Sequence, residues 1–172
     1  MKNLAIASVA GLALAATDNA QTVVDLSGQG IQGTPMQVGS GVASGGITGI
    51  GFDISVSTVD PSWADEVIID ISGPSGFSFR GAGANSNFSG DPVNADLTFG
   101  WGPTAGTFSF SGTASVSGDA GTYNISAFDA FDDFPGSDNA VFLEGSSITL
   151  IPAPGAAALL GMGGLVATRR RR

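Results

Sequence analysis

The densest run of chemically capable side chains in this 172-residue chain is DAFDDFPGSDN, residues 129–139. It holds Asp129, Asp132, Asp133 and Asp138 around a Pro-Gly turn. Calcium takes roughly six to eight oxygen ligands from carboxylates and carbonyls, and such a loop offers both. The four aspartates are therefore the candidate calcium ligands, although their spacing is not that of an EF-hand. The competing reading is a solvated acidic turn between two strands. Bound calcium would stiffen the loop and raise the melting temperature by linkage. A second candidate set is Trp63, Trp101 and Tyr123. Flat aromatic faces with polar tips suit a carbohydrate platform, and they equally suit the core of a β-sandwich.

Enzymatic chemistry has little to work with. The chain has no histidine and no cysteine. That removes the usual serine triad, a thiol nucleophile and the common zinc ligand sets. A glycosidase-type carboxylate pair is the one formal option left. The adjacent pairs Asp65–Glu66 and Asp132–Asp133 do not supply it, because neighbours in a strand point to opposite faces. The expectation is that the protein is not an enzyme.

The elements that must position these residues read as strands. Phe52, Ile54 and Val56 alternate with Asp53, Ser55 and Ser57. Val67, Ile69 and Ile71 share one face; Glu66, Ile68 and Asp70 share the other. Phe77 and Phe79, then Leu97, Phe99 and Trp101, then Phe108 and Phe110, keep the same period. Tyr123, Ile125 and Ala127 form another inward set, and Ile148 and Leu150 close the series. Alternation of this kind marks half-buried strands. Turns are expected at Gly73-Pro74-Ser75-Gly76, Gly90-Asp91-Pro92 and Gly118-Asp119-Ala120-Gly121. About eight strands at this spacing predict an all-β, antiparallel β-sandwich. Residues 27–46 and 81–95 read as long loops, the first because it is rich in Gly, Ser and Gln. The Ser/Thr run from Thr104 to Ser117 shows no regular threonine rows of the sort ice binding requires.

Charge is unevenly placed. Between residues 21 and 151 there is one base, Arg80, against fourteen acids, so that stretch carries 14 − 1, or −13. Such a surface repels nucleic acid, and the acids serve to keep an exposed protein soluble.

The two ends carry an address. Lys2 precedes the apolar run LAIASVAGLALAA, followed by small residues suited to cleavage after Ala16 or Ala20. This is the anatomy of a signal peptide over residues 1–20, implying signal peptidase as a partner. At the other end, Ile151-Pro152-Ala153-Pro154 leads into the uncharged segment 155–168 and then Arg169, Arg170, Arg171 and Arg172. Fourteen helical residues span about 21 Å, short of a hydrocarbon core of roughly 30 Å. A marginal transmembrane helix with a positive cytoplasmic stop suits a transient sorting intermediate.

The order of Pro152-Ala153-Pro154, a glycine-containing apolar helix and the arginine cluster resembles a PEP-CTERM sorting signal, with Ala153 in place of the family's glutamate. The resemblance covers about the last 22 residues. It implies recognition by an exosortase-type membrane peptidase and delivery to the cell surface or extracellular matrix. The body, over roughly residues 46–150, resembles the jelly-roll modules related to the P domain of proprotein convertases. The residues that carry this are Glu66-Val67-Ile68-Ile69-Asp70, the turn Gly73-Pro74-Ser75-Gly76, and Gly121-Thr122-Tyr123 leading to Asp129. Such modules do not themselves cut peptides.

Together these readings predict three parts: a signal peptide helix at 1–20, a jelly-roll-like sandwich at 21–151, and a sorting tail at 152–172 that includes the membrane helix 155–168. The expected function is that of an exported structural or interaction protein of the envelope or matrix. The alternative is an extracellular module that binds carbohydrate, such as exopolysaccharide, or calcium.

Overall fold

Strand β4, Ile47–Thr58, alternates apolar and polar residues over most of its twelve and is the one around which the first of two sheets forms. Ile50, Phe52, Ile54 and Val56 point inward and are buried, while Asp53 faces out. Each fully buried side chain of this size contributes about 1.5–3 kcal/mol through area removed from water. The computed structural model describes residues 20–84 and 93–154. The expected signal peptide, helix 155–168, Arg169–Arg172 and the Gly90-Asp91-Pro92 turn lie outside those residues. Among the described residues no helix is long and apolar enough to cross a membrane.

The remaining strands are β1 Thr22–Asp25, β2 Gly30–Ile31, β3 Met36–Ala43, β5 Val67–Ser72, β6 Ser78–Ala82, β7 Leu97–Thr98, β8 Gly106–Gly118, β9 Gly121–Asp129, β10 Ala140–Phe142 and β11 Ser147–Pro152. The described chain is thus all-β, with two sheets. In the first, β8 pairs antiparallel with the full length of β4. On the other side of β4, β11 takes the Ile47–Asp53 part and β10 the Val56–Thr58 part. Beyond these lie β1 on β11 and β2 on β10. The second sheet runs β3-β9-β5-β6-β7, with only β6–β7 parallel. One hydrophobic cluster draws on both sheets, joining Ile50, Phe52 and Ile54 to Ile69, Ile71, Tyr123 and Ile125. Ile68 points the other way and packs with Ala82 and Val93, which explains why β5 is apolar on both faces.

Eleven strands appear among the described residues, against the eight expected. The expected strand at Leu97-Phe99-Trp101 shortens to the two residues of β7, and β1, β2, β3 and β10 were not among the alternating runs. Strands of two or three residues, such as β2 and β10, are too short to show alternation. Accordingly Phe99 and Trp101 are buried beyond the end of β7, held by backbone bonds to Ala82 and Gly83 rather than by a continuing strand.

The expectation of a loop at 27–46 is corrected: β2 and β3 lie there. Strand β3 looks like a loop because it needs glycine. A Cβ on Gly39 would stand 2.6 Å from Val24 Cγ1, and one on Gly41 2.8 Å from Val24 Cγ2. Val24 of β1 occupies that space, so the glycines answer to packing rather than to flexibility. The expected loop at 81–95 begins later than read, since β6 continues to Ala82.

Two expected turns are present and touch each other. Ser75, with φ 55°, donates its hydroxyl to Asp119 Oδ2 at 2.6 Å, tying the 73–76 turn to the 118–121 turn. Along β8 the outward positions are Thr107, Ser109, Ser111, Thr113, Ser115 and Ser117, a regular row of hydroxyls of which two are threonine.

Candidate functional site

The inward row of β9 runs Tyr123, Ile125, Ala127 and ends at Asp129, which is fully buried. A carboxylate therefore closes an apolar row. Its Oδ1 accepts the Phe131 N–H at 3.1 Å, and its Oδ2 has no hydrogen-bond partner. Burial raises the Asp129 carboxyl to about 7, and the Glu66 and Asp133 charges push it the same way against the Phe131 N–H and the Asn139 side chain.

Glu66 reaches this place from a different element. Residues Ala64–Glu66 form a single 3-10 turn between β4 and β5. The Glu66 Oε2 accepts the backbone N–H of Trp63 at 3.1 Å, the reach-back contact by which an acid three residues into a helical turn caps its start. Glu66 is 3% exposed, and burial raises its carboxyl, with Asp133 and Asp65 adding to the rise. Asp65 is also buried; its carboxyl is raised by burial, and its Oδ1 has no partner. Gly83 makes this turn possible, because a Cβ there would overlap the Ala64 carbonyl oxygen. The strand argument applied to the two acidic pairs is corrected: Asp65–Glu66 lies in the 3-10 turn, and Asp132–Asp133 lies in the loop between β9 and β10, the turn between two strands that the acidic run suggested.

That loop completes a pocket of about 100 Å³ lined by Pro61, Trp63, Glu66, Phe131 and Asp133. Asp133 Oδ2 accepts the Ser62 hydroxyl at 3.0 Å. Phe131 is 53% exposed, an unusual position for a large apolar ring. Asn139 fixes the loop, its Nδ2 donating to the Phe131 carbonyl at 3.0 Å and its Oδ1 accepting the Phe134 N–H.

The four aspartates read as calcium ligands do not converge. Asp129 is interior and Asp133 lines the pocket. Asp132 lies against Gly33, and Asp138 lies over Gly30 and accepts from Gln32 Nε2 at 3.1 Å. Among the described residues no group of three or more acidic side chains is placed to hold a metal ion. The aromatic platform also separates. Trp101 is buried against Phe99, with its Nε1 donating to the Ser109 carbonyl. Tyr123 is buried and donates to the Asp119 carbonyl at 2.7 Å. Of the three, only Trp63 lines the pocket. The motif residues Pro152, Ala153 and Pro154 stand at the end of β11, with Pro152 inside the strand and Pro154 exposed.

Pro61 and Phe131 are the pocket residues that sequence reasoning passed over, and Glu66 was weighed only as half of a carboxylate pair with Asp65. The signal for the loop side was the odd pairing of an aromatic with acids in Phe131-Asp132-Asp133. For the placing of Glu66 there was none, because a 3-10 turn of three residues has no period to detect.

A second cavity, about 590 Å³, runs where β8 faces β6 and β7, lined by Phe77, Phe79, Leu97 and Val116 among others. Its one acid, Asp96, already accepts the Arg80 N–H at 2.8 Å. Comparison with known proteins finds no matching family model, no matching curated protein and no matching solved structure.

Proposed function

We propose that the protein is an exported, surface-sorted structural or interaction protein of the cell envelope or extracellular matrix, with a jelly-roll-like β-sandwich body that performs no catalysis. The observation that carries this reading is the order of parts at the C-terminus. Strand β11 ends at Pro152, and the Pro-Ala-Pro motif, the uncharged segment 155–168 and the four arginines follow without a linker. The interior placing of Trp101 and Tyr123, and the small hydroxyl side chains along β8, agree with a body that lacks a broad sugar platform.

In this reading signal peptidase removes the first 16 to 20 residues, and an exosortase-type peptidase handles the tail. Replacing Arg169–Arg172 by neutral residues is expected to disturb membrane sorting. Normal delivery of that variant to the surface would overturn the assignment. A second reading, an extracellular ligand-binding module, is favoured by one observation, the pocket at Trp63, Glu66, Phe131 and Asp133.

A further inference from the structure

We propose that the pocket between the Ala64–Glu66 turn and the β9–β10 loop binds an alkylammonium group, held by the carboxylates of Glu66 and Asp133 between the rings of Trp63 and Phe131. The inference deepens the ligand-binding reading and does not depend on the sorting one.

The first ground is charge. Glu66, Asp133, Asp129 and Asp65 gather at one end of the body. The single base between residues 21 and 151, Arg80, is occupied elsewhere. Its Nε and Nη2 grip the two oxygens of Asp70 at 2.6 and 2.7 Å. Among the described residues, therefore, no protein cation answers these acids. Buried carboxylates without a counter-charge are costly, and a bound cation would offset that cost.

The second ground is open acceptors. Glu66 is nine-tenths buried and spends only Oε2 on the Trp63 N–H, which leaves Oε1 to the cavity it lines. Asp129, fully buried and close enough for the Glu66 charge to act on it, adds a further interior acid beside the pocket.

The third ground is the walls and the size, which select the kind of cation. Calcium wants roughly six to eight oxygens, and the described acids offer no group of three. An alkylammonium needs fewer oxygens and gains from aromatic faces, whose negative π clouds attract a cation. A cavity of roughly 150 Å³ holds a benzene ring. The pocket, at about 100 Å³, takes an ammonium and its first carbons rather than a whole sugar ring.

The test is titration calorimetry on the full chain in non-ionic detergent, with n-butylammonium, glucosamine, 1-butanol and calcium chloride as separate probes. Saturable binding of butylammonium with none of butanol is expected. Glucosamine binding as well would assign the source to amino sugars; butylammonium alone would assign it to free amines. Asp133→Asn is expected to weaken binding at least tenfold. This variant keeps an oxygen for Ser62, and an unchanged thermal melt will show that it folds. Phe131→Ala, at an exposed position, is expected to weaken binding several-fold. Absence of saturable ammonium binding up to tens of millimolar, equal binding by both variants, or displacement of the amine by equimolar calcium would overturn the proposal.

Discussion

The peptide N–H of Ala153 donates to the carbonyl oxygen of Gly46 at 2.7 Å. The Thr48 hydroxyl adds a contact to the Pro152 carbonyl at 3.3 Å. The middle of the Pro152-Ala153-Pro154 motif is therefore part of the folded sheet. A peptidase binds its substrate as a free extended segment, and residues 151–153 are already paired. Any tail processing is expected to leave Pro154 or a later residue at the new C-terminus, as the intact mass of the processed chain will show. A mature chain ending at Ile151 or earlier would contradict this, because Leu150 is a core residue paired with Ile50.

Asp129 makes stability depend on pH. Its carboxyl lies near 3.8 in the unfolded chain and at about 7 in the folded one. Between those values the folded chain keeps a proton that the unfolded chain has lost. Stability therefore falls as pH rises from about 4 to about 7. At about 1.4 kcal/mol for each pH unit between the two values, the fall is at most about 4 kcal/mol. Glu66 and Asp65, also raised, act in the same direction. Asp25, lowered by Ser27 at the surface, acts in the opposite one. Asp129→Asn is expected to remove most of the slope in urea melts taken at pH 4.5, 6 and 7.5. An unchanged slope would show that Asp129 is not the group responsible.

Gly83→Ala is expected to destabilise the protein by about 2 kcal/mol or more, since its methyl must displace the backbone of the Ala64–Glu66 turn. The same displacement shifts Glu66, so affinity for the ammonium probe should fall alongside stability. Gly102→Ala serves as the control, because a Cβ there meets nothing.

The two remaining platform candidates should behave as core. Trp101→Ala is expected to cost about 3–5 kcal/mol in denaturant melts. Tyr123→Phe keeps the ring against Phe77 and loses only the bond to Asp119, costing about 1 kcal/mol. Neither change touches the pocket, so ammonium affinity should hold in both. A loss of affinity with a normal melt would return these residues to the binding surface.

The strands that alternate strongly were legible in the sequence. The Phe52-Ile54-Val56, Val67-Ile69-Ile71 and Tyr123-Ile125-Ala127 rows are all core faces. Extending the last row by two residues would have placed Asp129 inside. It was instead grouped with its acidic neighbours, which local density suggested and strand geometry forbids. Strand β3 was hidden because its packing demands glycine beside Val24, and glycine-rich sequence reads as loop. The pocket was half legible: Trp63 and Asp133 were singled out, but for separate roles. What joins them is the crossing from β4 to β5 meeting the crossing from β9 to β10, a relation between segments some 70 residues apart.

Strand β4 spans twelve residues, with Pro152 registered at its Ile47 end and Pro61 only three residues past its Thr58 end. At about 3.3 Å per residue that is roughly 36 Å of strand. The exit of the chain and the acidic pocket thus stand at opposite poles of the body. Whatever enters the pocket therefore meets the body at the end away from Pro152.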